Sequence, residues 1–198
     1  MAALSHNLPL WLKLGWTVLV LVVLWAYWRE YGPSNFLWFS DLALAGLLLA
    51  LWLESPLIAG MVAVGVLALE TAWIVDFICG GKWLGLSDYM FERDRPLWLR
   101  ALSGFHFLVP PLIIFLLMRL GYDRHALVAQ TLLAWIVLPA TYVLSDPAKN
   151  INWVFGPGSD PQNAIPPLLY LALLMMGIPL LVYLPTHVLL ARMFPPPL

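Results

Sequence analysis

Six apolar runs, parted by short polar or proline- and glycine-bearing interruptions, account for most of this 198-residue chain. Each is close to the ~20 residues that a helix needs to cross a bilayer. The pattern predicts six transmembrane helices at about 8–28, 36–53, 56–78, 97–119, 126–144 and 167–193, in an all-α polytopic bundle forming one domain, 1–198. Gly32-Pro33 breaks the chain after the first run. Glu54-Ser55-Pro56 is so short a link that the second and third helices are expected as an antiparallel hairpin, with Pro56 in the first turn. Pro110-Pro111, Pro139, Pro179 and Pro185 fall inside predicted helices and mark kinks or bends. No internal repeat is evident, which removes support for an inverted-repeat transporter.

Two connections differ from the rest. Residues 79–96 read CGGKWLGLSDYMFERDRP, with charges interleaved among Trp83, Leu84, Leu86, Tyr89, Met90 and Phe91. An amphipathic surface loop is expected, lying on the membrane or folding back as a cap. Residues 145–166 are rich in proline and glycine and contain Asn150-Ile151-Asn152-Trp153.

Composition narrows the setting. Hydrophobic residues make up 62% of the chain and charged residues 11%, against about 25% charged in ordinary soluble domains. A net charge of −1 gives no footprint for nucleic acid, and membrane lipids become the expected partners. Homo-oligomerisation stays open. Many of the eleven tryptophans stand at segment ends (Trp11, Trp28, Trp38, Trp52, Trp83, Trp98, Trp153), as interfacial belts require. Cys79 is the only cysteine, so neither an intrachain disulfide nor a CxxC metal site can form. No cleavable signal pattern precedes the first run, which is expected to stay as an anchor. Six basic residues (Arg29, Lys82, Arg93, Arg95, Arg100, Lys149) lie in or beside the odd-numbered loops and four (Lys13, Arg119, Arg124, Arg192) on the other side. That asymmetry mildly favours odd loops inside and both termini outside, in a multi-pass protein of the plasma (inner) membrane.

Candidate chemistry comes from ionisable residues inside apolar runs, where a charge costs roughly 2.5–3.5 kcal/mol on insertion scales. Asp41, Glu70, Asp76 and His106 are placed so. With ~1.5 Å of rise per residue, Ser40 and Asp41, Glu70 and Asp76, His106, and Thr141 all fall in the half-membrane next to loops 1, 3 and 5. A polar site open to one leaflet is expected there. Asn152, Trp153 and Thr141 are candidates for substrate contact, and Asp76 is read as an interfacial carboxylate neutralised by Lys82 or Arg100. Glu70 and Asp76 are about 120° apart around their helix and do not form a paired carboxylate. His106 is the one deep histidine in this half, so neither a metal nor another cofactor is expected. His6, His125 and His187 are set aside. Nucleophilic chemistry fits the inventory better: Ser40 as nucleophile, His106 as base, Asp41 or Glu70 as orienter. Ser103, three residues before His106, is a further hydroxyl on that stripe.

Trp38-Phe39-Ser40-Asp41-Leu42-Ala43-Leu44, then Phe105-His106-Phe107-Leu108, then Asn152-Trp153-Val154-Phe155-Gly156 are similar in order and spacing to the YwaF-like six-helix bacterial membrane proteins. Those are related to a mammalian phospholipid acyltransferase family and, more loosely, to the androgen-induced fatty-acid-ester hydrolases. The resemblance covers about 35–183 through short apolar motifs. It implies acyl chemistry within the membrane, where a Cys or Thr acts with a His; Ser40 falls at the nucleophile and His106 at the base. The chain departs from that pattern in lacking the cysteine and in having Pro110-Pro111 where a polar residue would follow His106 by one turn. A lipid acyl hydrolase or acyltransferase is therefore the leading expectation. A proton-linked transporter or binding protein for a small solute or lipid, or a structural membrane subunit, is the alternative.

Overall fold

The structure is a computed structural model that describes residues 8–158 and 160–197; His6 lies outside them. Among these residues the regular structure is entirely helical: α1 (Leu10–Glu30), α2 (Phe39–Leu53), α3 (Pro56–Ile78), α4 (Leu97–Leu102), α5 (Val109–Leu120), α6 (Ala126–Leu144), α7 (Pro167–Ile178) and α8 (Leu184–Met193). A 3₁₀ turn, Ser103–Phe107, joins α4 to α5, and a π turn, Pro179–Tyr183, joins α7 to α8. The result is six rods, five of them long and apolar enough to cross a membrane. Their outward faces carry exposed Leu, Val, Ile, Met and Trp, the surface that a multi-pass protein presents to lipid.

The sixth rod is α2. At 15 residues it is ~22 Å long, short of the ~30 Å hydrocarbon core. The expected start at Phe36 is corrected to Phe39, because Pro33–Leu37 winds into a 3₁₀ turn and Trp38 is extended. A residue far along the chain fixes this boundary. The Asn152 side chain accepts from Phe39 N at 3.0 Å and donates to Leu37 O at 2.7 Å, capping α2 from the loop after α6.

The fourth rod breaks earlier than its prolines suggested. Pro110 and Pro111 lie in the first turn of α5, where a missing N–H costs nothing. They cannot donate back into the preceding turn, so residues 103–107 tighten to 3₁₀ before them. His106 rides on that turn.

α3 is the central post, against α2, α5, α6 and α8. Its small residues allow this: a Cβ on Gly60 would meet Ala126 Cβ at 2.9 Å, and one on Gly65 would meet Gln130 Cδ at 2.8 Å. With no hydrophobic effect between rods in lipid, such close backbone approach is what association relies on. Indole donors pin α1 to α2, Trp16 Nε1 to Leu44 O at 3.1 Å and, in return, Trp52 Nε1 to Thr17 Oγ1 at 3.0 Å. Loop 79–96 folds back as a cap. Phe91 packs on Phe77 and Tyr89 near Trp73, with ring centroids 5.2 and 6.4 Å apart.

Candidate functional site

Glu70 and Trp73 are three residues apart on α3, hence on one face of it, and both meet His106. Nδ1 of His106 lies 2.6 Å from Glu70 Oε2, with both side chains buried. Trp73 stacks on the imidazole at 4.3 Å between centroids, and Phe105 covers it at 4.2 Å. The rings hold the imidazole plane while the carboxylate fixes its rotation and receives or supplies the Nδ1 proton. Nε2 makes no hydrogen bond among the described residues and is the ring's remaining exchange position. Trp73 Nε1 is buried and makes no well-aligned hydrogen bond among the described residues, with the Tyr89 hydroxyl within interaction range.

Asp41 sits in the first turn of α2 and is buried; Asn35 Nδ2 donates to its Oδ2 at 2.7 Å. Asp41 also lies within electrostatic reach of Glu70. Ser103 bonds the Tyr27 hydroxyl at 2.8 Å, tying α1 to the 3₁₀ turn that carries His106. Tyr89 comes from the capping loop to the same neighbourhood, and burial pushes its phenol above its ordinary value, so it stays neutral.

The structure thus joins Glu70 directly to His106 and sets Asp41 near them. It does not join Ser40: this half-buried side chain makes no hydrogen bond to His106 among the described residues. Thr141 and Asn152, expected as substrate contacts, have polar atoms bonded within the fold. Thr141 Oγ1 donates to Val137 O at 2.8 Å within α6, and the Asn152 amide caps α2. Trp153 is half-buried in the same loop at a positive φ of 58°. Asp76 is corrected. Neither Lys82 nor Arg100 reaches it; its two oxygens accept from Trp83 N, Leu84 N, Ser87 N and Ser87 Oγ at 3.0, 2.6, 2.9 and 2.9 Å. Asp76 organises the cap. Two shallow surface hollows lie elsewhere and are lined by none of Ser40, Asp41, Glu70 and His106.

Sequence reasoning missed Asn35, Trp73 and Tyr27. Asn35 looked like a turn residue, but it stands six residues before a buried carboxylate. Trp73 is not among the tryptophans at segment ends, and its spacing of three from Glu70 puts it on the face of that carboxylate. Tyr27 carried no signal. Among the described residues no group of three or more His, Cys, Asp or Glu side chains is arranged to hold a metal ion. No family model, curated protein or solved structure matches this chain.

Proposed function

We propose that this integral membrane protein is an enzyme of the acyl-transfer class, with a membrane lipid as substrate and His106 as general base. One observation carries this reading: a buried histidine is held at Nδ1 by a carboxylate at 2.6 Å, and its Nε2 is uncommitted. This is the arrangement by which a carboxylate sets the tautomer of an imidazole so that the far nitrogen can take a proton. In the step envisaged, Nε2 accepts the proton of an attacking hydroxyl as its oxygen bonds to the ester carbonyl carbon. The same nitrogen returns that proton to the departing alkoxide. Ser40 is the hydroxyl that the resemblance to YwaF-like proteins nominates, and water is the other. Trp73 Nε1 is the donor at hand for the developing oxyanion.

The test is release of acyl chains from phospholipid and neutral esters by the purified chain in liposomes. His106→Ala is expected to lower the rate by about 10²–10⁴-fold while the protein still purifies as a folded species. Ser40→Ala should fall equally if serine is the nucleophile, and should keep its rate if water is. Wild type that releases no acyl chain from any ester sinks the proposal.

A second reading is favoured by a separate observation, the electrostatic proximity of Asp41 to Glu70. Two carboxylates and a histidine in one half-membrane are the parts of a proton relay. Asp41→Asn would then abolish proton flux into liposomes followed by an internal pH dye, and Ser40→Ala would not.

A further inference from the structure

Where α1 ends and α4 begins, on the face of the capping loop, a hollow of about 330 Å³ is lined by Trp25, Ala26, Arg29, Glu30 and Trp98. We infer that it binds the headgroup of a zwitterionic phospholipid, with the phosphate on Arg29 and the ammonium between Glu30 and the Trp98 ring. The inference does not depend on turnover at His106.

Helical spacing builds the hollow. Trp25 and Arg29 are four apart, as are Ala26 and Glu30, so the four share one face of the last two turns of α1. Ala26 is the small member that leaves room, and the two indoles stand as walls, Trp25 60% and Trp98 48% exposed. Indole side chains at helix ends sit at headgroup depth.

Charge then selects the occupant. Arg29 and Glu30 are adjacent and of opposite sign, yet neither is in an ion pair among the described residues, and both are exposed. The Arg29 guanidinium already lies over the Trp25 ring, 4.9 Å from its centroid, which holds the cation to that side of the hollow. Glu30 and the second indole complete the lining, and a carboxylate and an aromatic face are groups that suit an ammonium. A cation and an anion lining one interfacial hollow match the phosphate and the ammonium of one headgroup. A headgroup with phosphate alone would satisfy Arg29 and leave Glu30 facing negative charge.

The experiment uses the full chain in detergent, titrated with phosphatidylethanolamine, phosphatidylglycerol or soluble glycerophosphoethanolamine, with bound species read by native mass spectrometry. Wild type is expected to retain phosphatidylethanolamine about fivefold better than phosphatidylglycerol. Arg29→Ala should weaken both lipids about fivefold, the effect of one basic residue at the membrane surface. Glu30→Gln should bring the two lipids level, and His106→Ala should leave retention unchanged. Both altered charges are exposed, so the melting temperature should hold and report an intact bundle. Equal retention of the two lipids by wild type, or retention unaltered in Arg29→Ala and Glu30→Gln, overturns the site. Glycerophosphoethanolamine binding as tightly as the lipid overturns its assignment to a membrane lipid.

Discussion

The last turn of α3, under the capping loop, and the turns ~9 Å farther in each contain a buried carboxylate, and the two are used in opposite ways. Asp76 accepts four hydrogen bonds, three from backbone N–H groups and one from a hydroxyl. An ionised carboxylate has about four acceptor sites, so Asp76 is saturated. Glu70 has one hydrogen-bond partner among the described residues, His106. The saturated group has no capacity left for a ligand and fixes a loop; the under-used one keeps capacity and grips a titratable ring. Depth alone therefore does not identify a site inside a membrane. The count of unmet bonding positions does.

The comparison can be broken by substitution. Asp76→Ala should have the largest effect on folding. Leaving buried donors unmet costs about 1–3 kcal/mol each, and three backbone N–H groups lose their acceptor together. The expected outcome is a collapse in folded yield on size-exclusion chromatography, and normal yield would show that the cap is not held by Asp76. Asn152→Ala comes next, since it bares both Phe39 N and Leu37 O. Loss of a cap alone costs about 0.5–2 kcal/mol, so a clear drop in thermal midpoint is expected, with hydrogen exchange rising in the first turn of α2.

Glu70→Gln sharpens the contrast from the other side. The amide can still bond Nδ1, so stability should fall by no more than about 1–3 kcal/mol, well short of Asp76→Ala. Turnover should drop by orders of magnitude because a neutral partner no longer stabilises the imidazolium. If stability falls as far as in Asp76→Ala while turnover persists, the two carboxylates play the same structural part. The smallest effect on turnover belongs to the opposite face, where Lys13 Nζ meets Glu54 Oε1 at 2.7 Å with both side chains largely buried, and Glu54 also accepts from Leu8 N. Lys13→Ala should cost about 1–3 kcal/mol, seen as a shift in thermal midpoint with no change in turnover.

That opposite face has its own pair, Tyr122 hydroxyl to His187 Nδ1 at 2.6 Å, with the chain beyond α8 laid over it through Tyr122 N to Pro195 O at 2.8 Å. Burial pushes the Tyr122 phenol up to about 12. Here the histidine meets a neutral phenol near a chain end, whereas His106 meets a carboxylate within the span. The apolar runs predicted neither pairing, because both depend on which turn of one rod faces which turn of another.

What the residues themselves determined was the helical bundle, the hairpin of α2 and α3 and the amphipathic character of 79–96, which left open whether that loop lies on the membrane or folds back. Those follow from run length, breakers and the cost of charge in hydrocarbon, all local properties of the chain. Tertiary structure alone decided that Glu70 rather than Asp41 holds His106, and that Asp76 serves the cap. It also decided that Asn152 starts α2 from more than a hundred residues away. Hydropathy gives a residue its depth but not its azimuth, and an unmet donor or acceptor is satisfied by whichever neighbour the packing of the rods brings within about 3 Å.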